Sequence, residues 1–113
     1  MRAALHLYES GDYPHALFFG HLYLEKVLKA LIVQETESHS PYGHDLLHLA
    51  RRAKLPLKGE QEDDFDRISK HHINCRYPED LEEMQRRYTK KYCQNELEKI
   101  RGLAAWLKSK MKS

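Results

Sequence analysis

Apolar and polar positions recur with a helical period along almost the whole of this chain. Leu5 and Tyr8 belong to a short amphipathic stretch that stops at Gly11, a residue free to take the positive φ of a helix end. Asp12 then offers an N-cap, and Pro14 falls in the first turn, where its missing N–H costs nothing. A second helix is predicted from there to about Glu35. Along it Leu17, Leu24, Leu28 and Leu31 form one stripe and Phe19, Tyr23, Val27 and Ala30 another, so the helix is apolar around much of its circumference. A helix of this kind packs on two sides, within one subunit or against a partner. Gly20 sits in its middle, and an interior glycine costs about 1 kcal/mol relative to alanine. It points to a close crossing of helices, with a tolerated accident as the alternative.

Ser38-His39-Ser40-Pro41-Tyr42-Gly43 is rich in turn formers and reads as a loop. A third helix is predicted from about His44 to Ala53, with Leu46, Leu47, Leu49 and Ala50 on its apolar side, and Leu55-Pro56-Leu57-Lys58-Gly59 breaks it. The acidic segment from Glu60 opens a fourth helix, since carboxylates favour a first turn; Phe65 and Ile68 carry its buried face toward Ile73. Asn74-Cys75-Arg76-Tyr77-Pro78 interrupts the pattern, because proline disfavours helical geometry in the residue before it. Thr89 is the N-cap of a final long helix that spaces Cys93, Leu97, Ile100, Leu103, Ala104, Leu107 and Met111 by three and four. No strand pattern, repeat or low-complexity tract interrupts. The expectation is one all-α domain over residues 1–113, an up-and-down bundle of about four to five helices.

A chain of 113 residues supports one modest hydrophobic core. No apolar run approaches the roughly 18 residues of a membrane span, and Met1 to His6 leads into Glu9 and Asp12 without the apolar stretch of a signal peptide. A cytoplasmic protein without membrane contact is expected. Cys75 and Cys93 fit neither a disulfide framework nor a metal spacing and read as free thiols. The net charge of +2 conceals an asymmetry: Arg86, Arg87, Lys90, Lys91, Lys99, Arg101, Lys108, Lys110 and Lys112 face only Glu96 and Glu98 beyond residue 85. That end can attract a polyanion such as RNA. The favoured reading is blander: Lys108, Lys110 and Lys112 complement the negative end of a helix dipole, and the rest are solvated.

Eight histidines call for a test of metal chemistry. His44 and His48 lie one helical turn apart, but no third ligand stands at a characteristic spacing, and His71-His72 is no ligand motif. No metal and no cofactor are expected. Glu25, inside an apolar helix, needs a partner, because an unpaired buried carboxylate is expensive. Lys29, one turn on, and Arg76 are the two available.

Three segments, Leu24-Glu25-Lys26-Val27-Leu28-Lys29-Ala30-Leu31, Gly43-His44-Asp45-Leu46 and Arg76-Tyr77-Pro78, follow one another in an order that resembles the HEPN family (higher eukaryotes and prokaryotes nucleotide-binding domains). The resemblance runs from about Ala4 to Met111 and implies a small all-helical homodimer directed at ribonucleotides. It gives His44 a structural place at a helix start. It also implies a minimal nucleotidyltransferase as partner in a toxin–antitoxin-type pair. Nucleolytic members pair an arginine with a histidine a few residues on, which suits metal-independent RNA cleavage: histidine titrates near neutrality and accepts a proton, while arginine stays charged beside the phosphorane oxygens. Arg67 and His72 fit that spacing as catalytic residues, in a copy that precedes Arg76-Tyr77-Pro78 and lacks the polar Asn common after the arginine. Arg76 can fork onto a phosphate and Tyr77 can stack on a base, with Arg86, Arg87, Lys90 and Lys91 as further nucleotide or RNA contacts. Alternatively Arg76 pairs with Glu25 and Tyr77 packs under the last helix. The second functional class is a non-catalytic helical dimerisation module that positions a partner enzyme.

Overall fold

The structure, a computed structural model, describes residues 1–36, 43, 45–76 and 86–111, with residues 36 and 72–76 described by their backbone alone. Among them are five helices: α1 (Arg2–Glu9), α2 (Tyr13–Thr36), α3 (Leu46–Arg52), α4 (Gly59–Arg76) and α5 (Lys90–Ser109). No strand occurs among the described residues. The all-α bundle expected from the periodicity is what forms.

The helix ends follow from local chemistry. Gly11 takes φ +88°, the Gly11 N–H donates to Tyr8 O and the Asp12 N–H to Leu7 O, which closes α1 with the paired bonds of a Schellman turn. The Asp12 carboxylate then accepts from the His15 N–H at 3.4 Å and from the His15 ring at 2.8 Å, fixing the start of α2. Asp45 caps α3 by accepting from the N–H groups of Leu47 and His48, so that helix begins two residues later than its pattern predicted. Its first N–H, that of Leu46, donates to Ser69 Oγ at 2.8 Å, which ties α3 to α4. Thr89 caps α5 through the Tyr92 N–H. The one boundary that moves substantially is the end of α4, which runs through Asn74 and Cys75 to Arg76. Pro78 restricts only the residue directly before it, so nothing prevents residues 74–76 from staying helical.

α2 is the central helix, and α1, α3, α4 and α5 all pack on it. Leu17, Leu24, Leu28, Leu31 and Ile32 of α2 are almost fully buried against Leu46 and Leu49 of α3, Phe65 and Ile68 of α4, and Leu97, Ile100 and Leu107 of α5. Burying each such side chain contributes about 1.5–3 kcal/mol. At Gly20 an added Cβ would stand 2.8 Å from Ile100 Cδ1 and 3.4 Å from Leu97 Cδ2, so the glycine does mark a close crossing of α2 and α5. Most of the apolar excess that pointed to a partner for α2 is thus covered inside the chain. Of the second stripe Val27 is buried, Tyr23 half-buried, and Ala30 and Phe19 exposed; among the described residues Phe19 and Val33 are the exposed large apolar ones, each 40% accessible. No described helix is long and apolar enough to cross a membrane.

Candidate functional site

α4 and α5 both lean on α2 and pack little on each other directly, so between them remains an open cleft of about 560 Å³. Polar groups bridge it. On α4, Arg67 and His71 are four apart and share a face, one turn beyond Asp64. On α5, Glu96 lies three residues after Cys93 and four before Ile100, within the buried stripe, and is only 3% exposed. The Arg67 guanidinium reaches across: Nε donates to both Glu96 oxygens at 3.1 Å, and Nη2 lies 2.9 Å from Oε1. Nη1 meets Asp64 Oδ1 at 2.9 Å. His71, as buried as Glu96, places Nε2 2.9 Å from Glu96 Oε2. An ionised carboxylate only accepts, so Nε2 carries the proton and Nδ1 faces the Tyr88 hydroxyl at 3.4 Å. The rings of Tyr88 and Tyr92 both stand edge-on to His71, with centroids 5.7 and 6.2 Å away.

The electrostatics follow from this enclosure. Burial alone would push the Glu96 carboxyl up, but hydrogen bonds from His71 and Arg67 outweigh it and hold the group below its ordinary range. Burial works against the charge on Arg67 as well, yet bonding to Glu96 and Asp64 leaves its pKa raised. Burial, reinforced by Glu96, pushes the Tyr92 hydroxyl and the Cys93 thiol each up to about 12, against a weaker pull from Arg67 and Arg87 on Tyr92. Cys93 is therefore an inert buried thiol.

The cleft is lined by Arg67, Tyr92, Asn95, Glu96, Glu98 and Lys99. Lys99 Nζ approaches Asp64 at 3.7 Å. Asp64, Glu96 and Glu98 give three carboxylates against the two cations Arg67 and Lys99, so a phosphate entering beside Arg67 meets excess negative charge. Arg67 has its guanidinium committed to protein carboxylates, which makes this arrangement a clamp between helices.

Arg67 thus sits where α4 meets α5. Position 71 follows it by about 40° around the helix and position 72 by about 140°, so the helical register joins Arg67 to His71. The side chains of His72 and Arg76, like Tyr77 and His44 altogether, lie outside the described residues. Glu25 is 7% exposed and Lys29 Nζ stands 3.6 Å from its Oε2, one of the two pairings that were open; the other, with Arg76, involves a side chain outside the described residues. Arg86, Arg87, Lys90 and Lys91 are exposed at the entry to α5, around the buried Tyr88. Sequence reasoning missed His71, Glu96, Asp64 and the two tyrosines. A signal existed: Glu96 is a charged residue in the buried register of α5, and His71 follows Ile68 by three on α4.

The family model for the HEPN domain matches residues 1–110. No curated protein and no solved structure matches the chain.

Proposed function

The chain belongs to the HEPN family, which brings a nucleotide- or RNA-related function, and from that premise we propose that it binds RNA through the basic entry to α5 without cleaving it. The observation that carries this reading is the placement of Arg86, Arg87, Lys90 and Lys91. All four are exposed, and the first turn of α5 holds no acidic residue. Lys90 and Lys91, in that first turn, stand at the positive end of the helix dipole, where cations destabilise a helix by about 0.3–1 kcal/mol each, and a bound phosphate would relieve that cost. Binding without cleavage is supported by the commitment of Arg67 to Glu96 and Asp64 and by the burial of His71, which keeps both from a scissile phosphate. The catalytic pairing of Arg67 with His72 is the alternative within the same family. A homodimer, a minimal nucleotidyltransferase partner and a toxin–antitoxin-type pair rest on the family likeness; so does a nucleotide contact by Arg76 and Tyr77.

Fluorescence anisotropy with a single-stranded RNA tests this directly. Affinity should fall with salt with a log–log slope of about −3 if four phosphates are neutralised. Replacing Arg86, Arg87, Lys90 and Lys91 by glutamine should flatten it towards zero. The RNA should stay intact, and Arg67→Ala should change binding little. Cleavage lost in both Arg67→Ala and His72→Ala would replace this reading with the ribonuclease, and binding indifferent to salt would reduce the basic segment to a solvated face.

A further inference from the structure

We propose that the groove between α1 and α2 docks an acidic peptide segment of a partner protein, one apolar side chain entering the groove while flanking carboxylates meet Lys26 and Lys108. This site lies apart from the basic entry to α5 and does not depend on RNA binding.

The groove encloses about 170 Å³ and is bounded by Ala3, Phe19, Leu22 and Tyr23, with Lys26 at its rim. That is room for one large side chain, comparable with the engineered cavity of about 150 Å³ that takes benzene. Phe19 is an exposed aromatic, and an exposed large apolar group beside a concavity is what a docking site leaves open. Lys108 reaches over from the last turn of α5, donating from Nζ to the Tyr23 hydroxyl at 2.5 Å with its ammonium 5.1 Å from the ring centroid. Tyr23 thereby fixes the position of this charge at the groove. Yet no acidic residue lines the groove, and among the described residues neither Lys26 nor Lys108 meets a carboxylate. The site offers an apolar slot beside the positive charges of Lys26 and Lys108, the second held in place by Tyr23, with no acidic residue in its lining.

Charge complementarity selects the occupant. A second copy of this chain meeting the groove across a two-fold axis would set Lys26 and Lys108 against their own counterparts, and like charges in apposition suppress association. A bilayer takes up apolar groups that protrude, whereas here they line a concavity. An extended segment with one leucine-like residue between acidic neighbours satisfies the slot and both charges at once.

The test uses the whole chain and a short fluorescein-labelled peptide carrying one leucine between aspartates, followed by anisotropy. Saturable binding that weakens as salt rises is expected. Changing the peptide's leucine to glycine should weaken it by about tenfold or more, the worth of one buried aliphatic side chain. Lys26→Glu with Lys108→Glu should abolish binding of the acidic peptide and confer binding of a version with lysines in place of the aspartates. Both positions are exposed, so circular dichroism should match the parent; Lys26→Gln with Lys108→Gln is the milder variant if it does not. RNA binding by the same variants should stay at the parent level. No peptide binding at about 1 mM, equal binding by the charge-reversed variant, or capture by phosphatidylglycerol vesicles without peptide binding would each overturn the proposal.

Discussion

Along one inner stripe α5 faces both α2 and α4 and uses opposite chemistry for each. Against α2 it presents Leu97 and Ile100, close-packed over Gly20, so that contact rests on dispersion and the exclusion of water. One residue before Leu97 it presents Glu96 to α4, across a gap that apolar side chains do not fill, and the contact rests on a carboxylate held by Arg67 and His71. The two differ in what happens when a part is removed. An apolar crossing loses in proportion to the atoms deleted, whereas a buried ion cluster loses most when one member leaves its partners uncompensated.

The largest effect should therefore come from Glu96→Ala. It strands a buried histidine and a guanidinium whose second partner, Asp64, cannot replace both bonds, and the cost should be about 3–5 kcal/mol. Urea unfolding with an unchanged m-value would measure it. Replacing the cluster as a unit, Arg67→Met with His71→Leu and Glu96→Leu, should be close to neutral, because well-packed apolar residues recover what the ions lose to desolvation. If the triple variant falls as far as Glu96→Ala, the polar bridge stabilises the fold in its own right and the contrast with the apolar crossing disappears.

Acid should reproduce part of that loss. The unfolded Glu96 titrates at about 4.3, and the folded group below its ordinary value, held there by His71 and Arg67 against its burial. Between the two the unfolded chain binds more protons, so stability is fully present above the unfolded pKa and drains away as pH falls through the folded one. The loss should be smaller than in Glu96→Ala, because a protonated carboxyl still fills its space. Glu96→Gln should remove this contribution to the acid slope; melting temperatures from pH 6 down to about pH 3 in parent and variant would show it. Equal slopes would mean that other carboxylates carry the acid sensitivity.

What could be read in the sequence divides along the same line. Gly11, Asp12 and Thr89 act on helix ends within a few residues of themselves, and the stripe through Cys93, Leu97 and Ile100 repeats at the helical period, so bundle and crossing were legible. The bridge joins groups 25 and 29 positions apart, a relation that no local period encodes. Linear spacing singled out Arg67 with His72, while helical spacing sets Arg67 beside His71. The inward register of Glu96 was visible, but its partners could be named only once α4 and α5 were laid on α2.

The apolar crossing has its own test, with the smallest effect. Gly20→Ala should gain about 1 kcal/mol from helix propensity, yet its Cβ would stand 2.8 Å from Ile100 Cδ1. That methyl is the end of a flexible side chain and can swing aside at a cost within the roughly 1–3 kcal/mol of mild overpacking. The net change should lie between about neutral and a destabilisation of about 2 kcal/mol. Ile100→Val removes the offending methyl and alone should cost about 0.5–1.5 kcal/mol. Combined, the two should fit together, because the new methyl occupies space the deleted one has left. The double variant should then be more stable than the sum of the single changes by about 0.5 kcal/mol or more, a coupling that thermal and urea unfolding resolve. Simple additivity would mean that α2 and α5 adjust their separation freely at Gly20, and the close crossing would then owe nothing to the fit of Ile100 against the missing side chain.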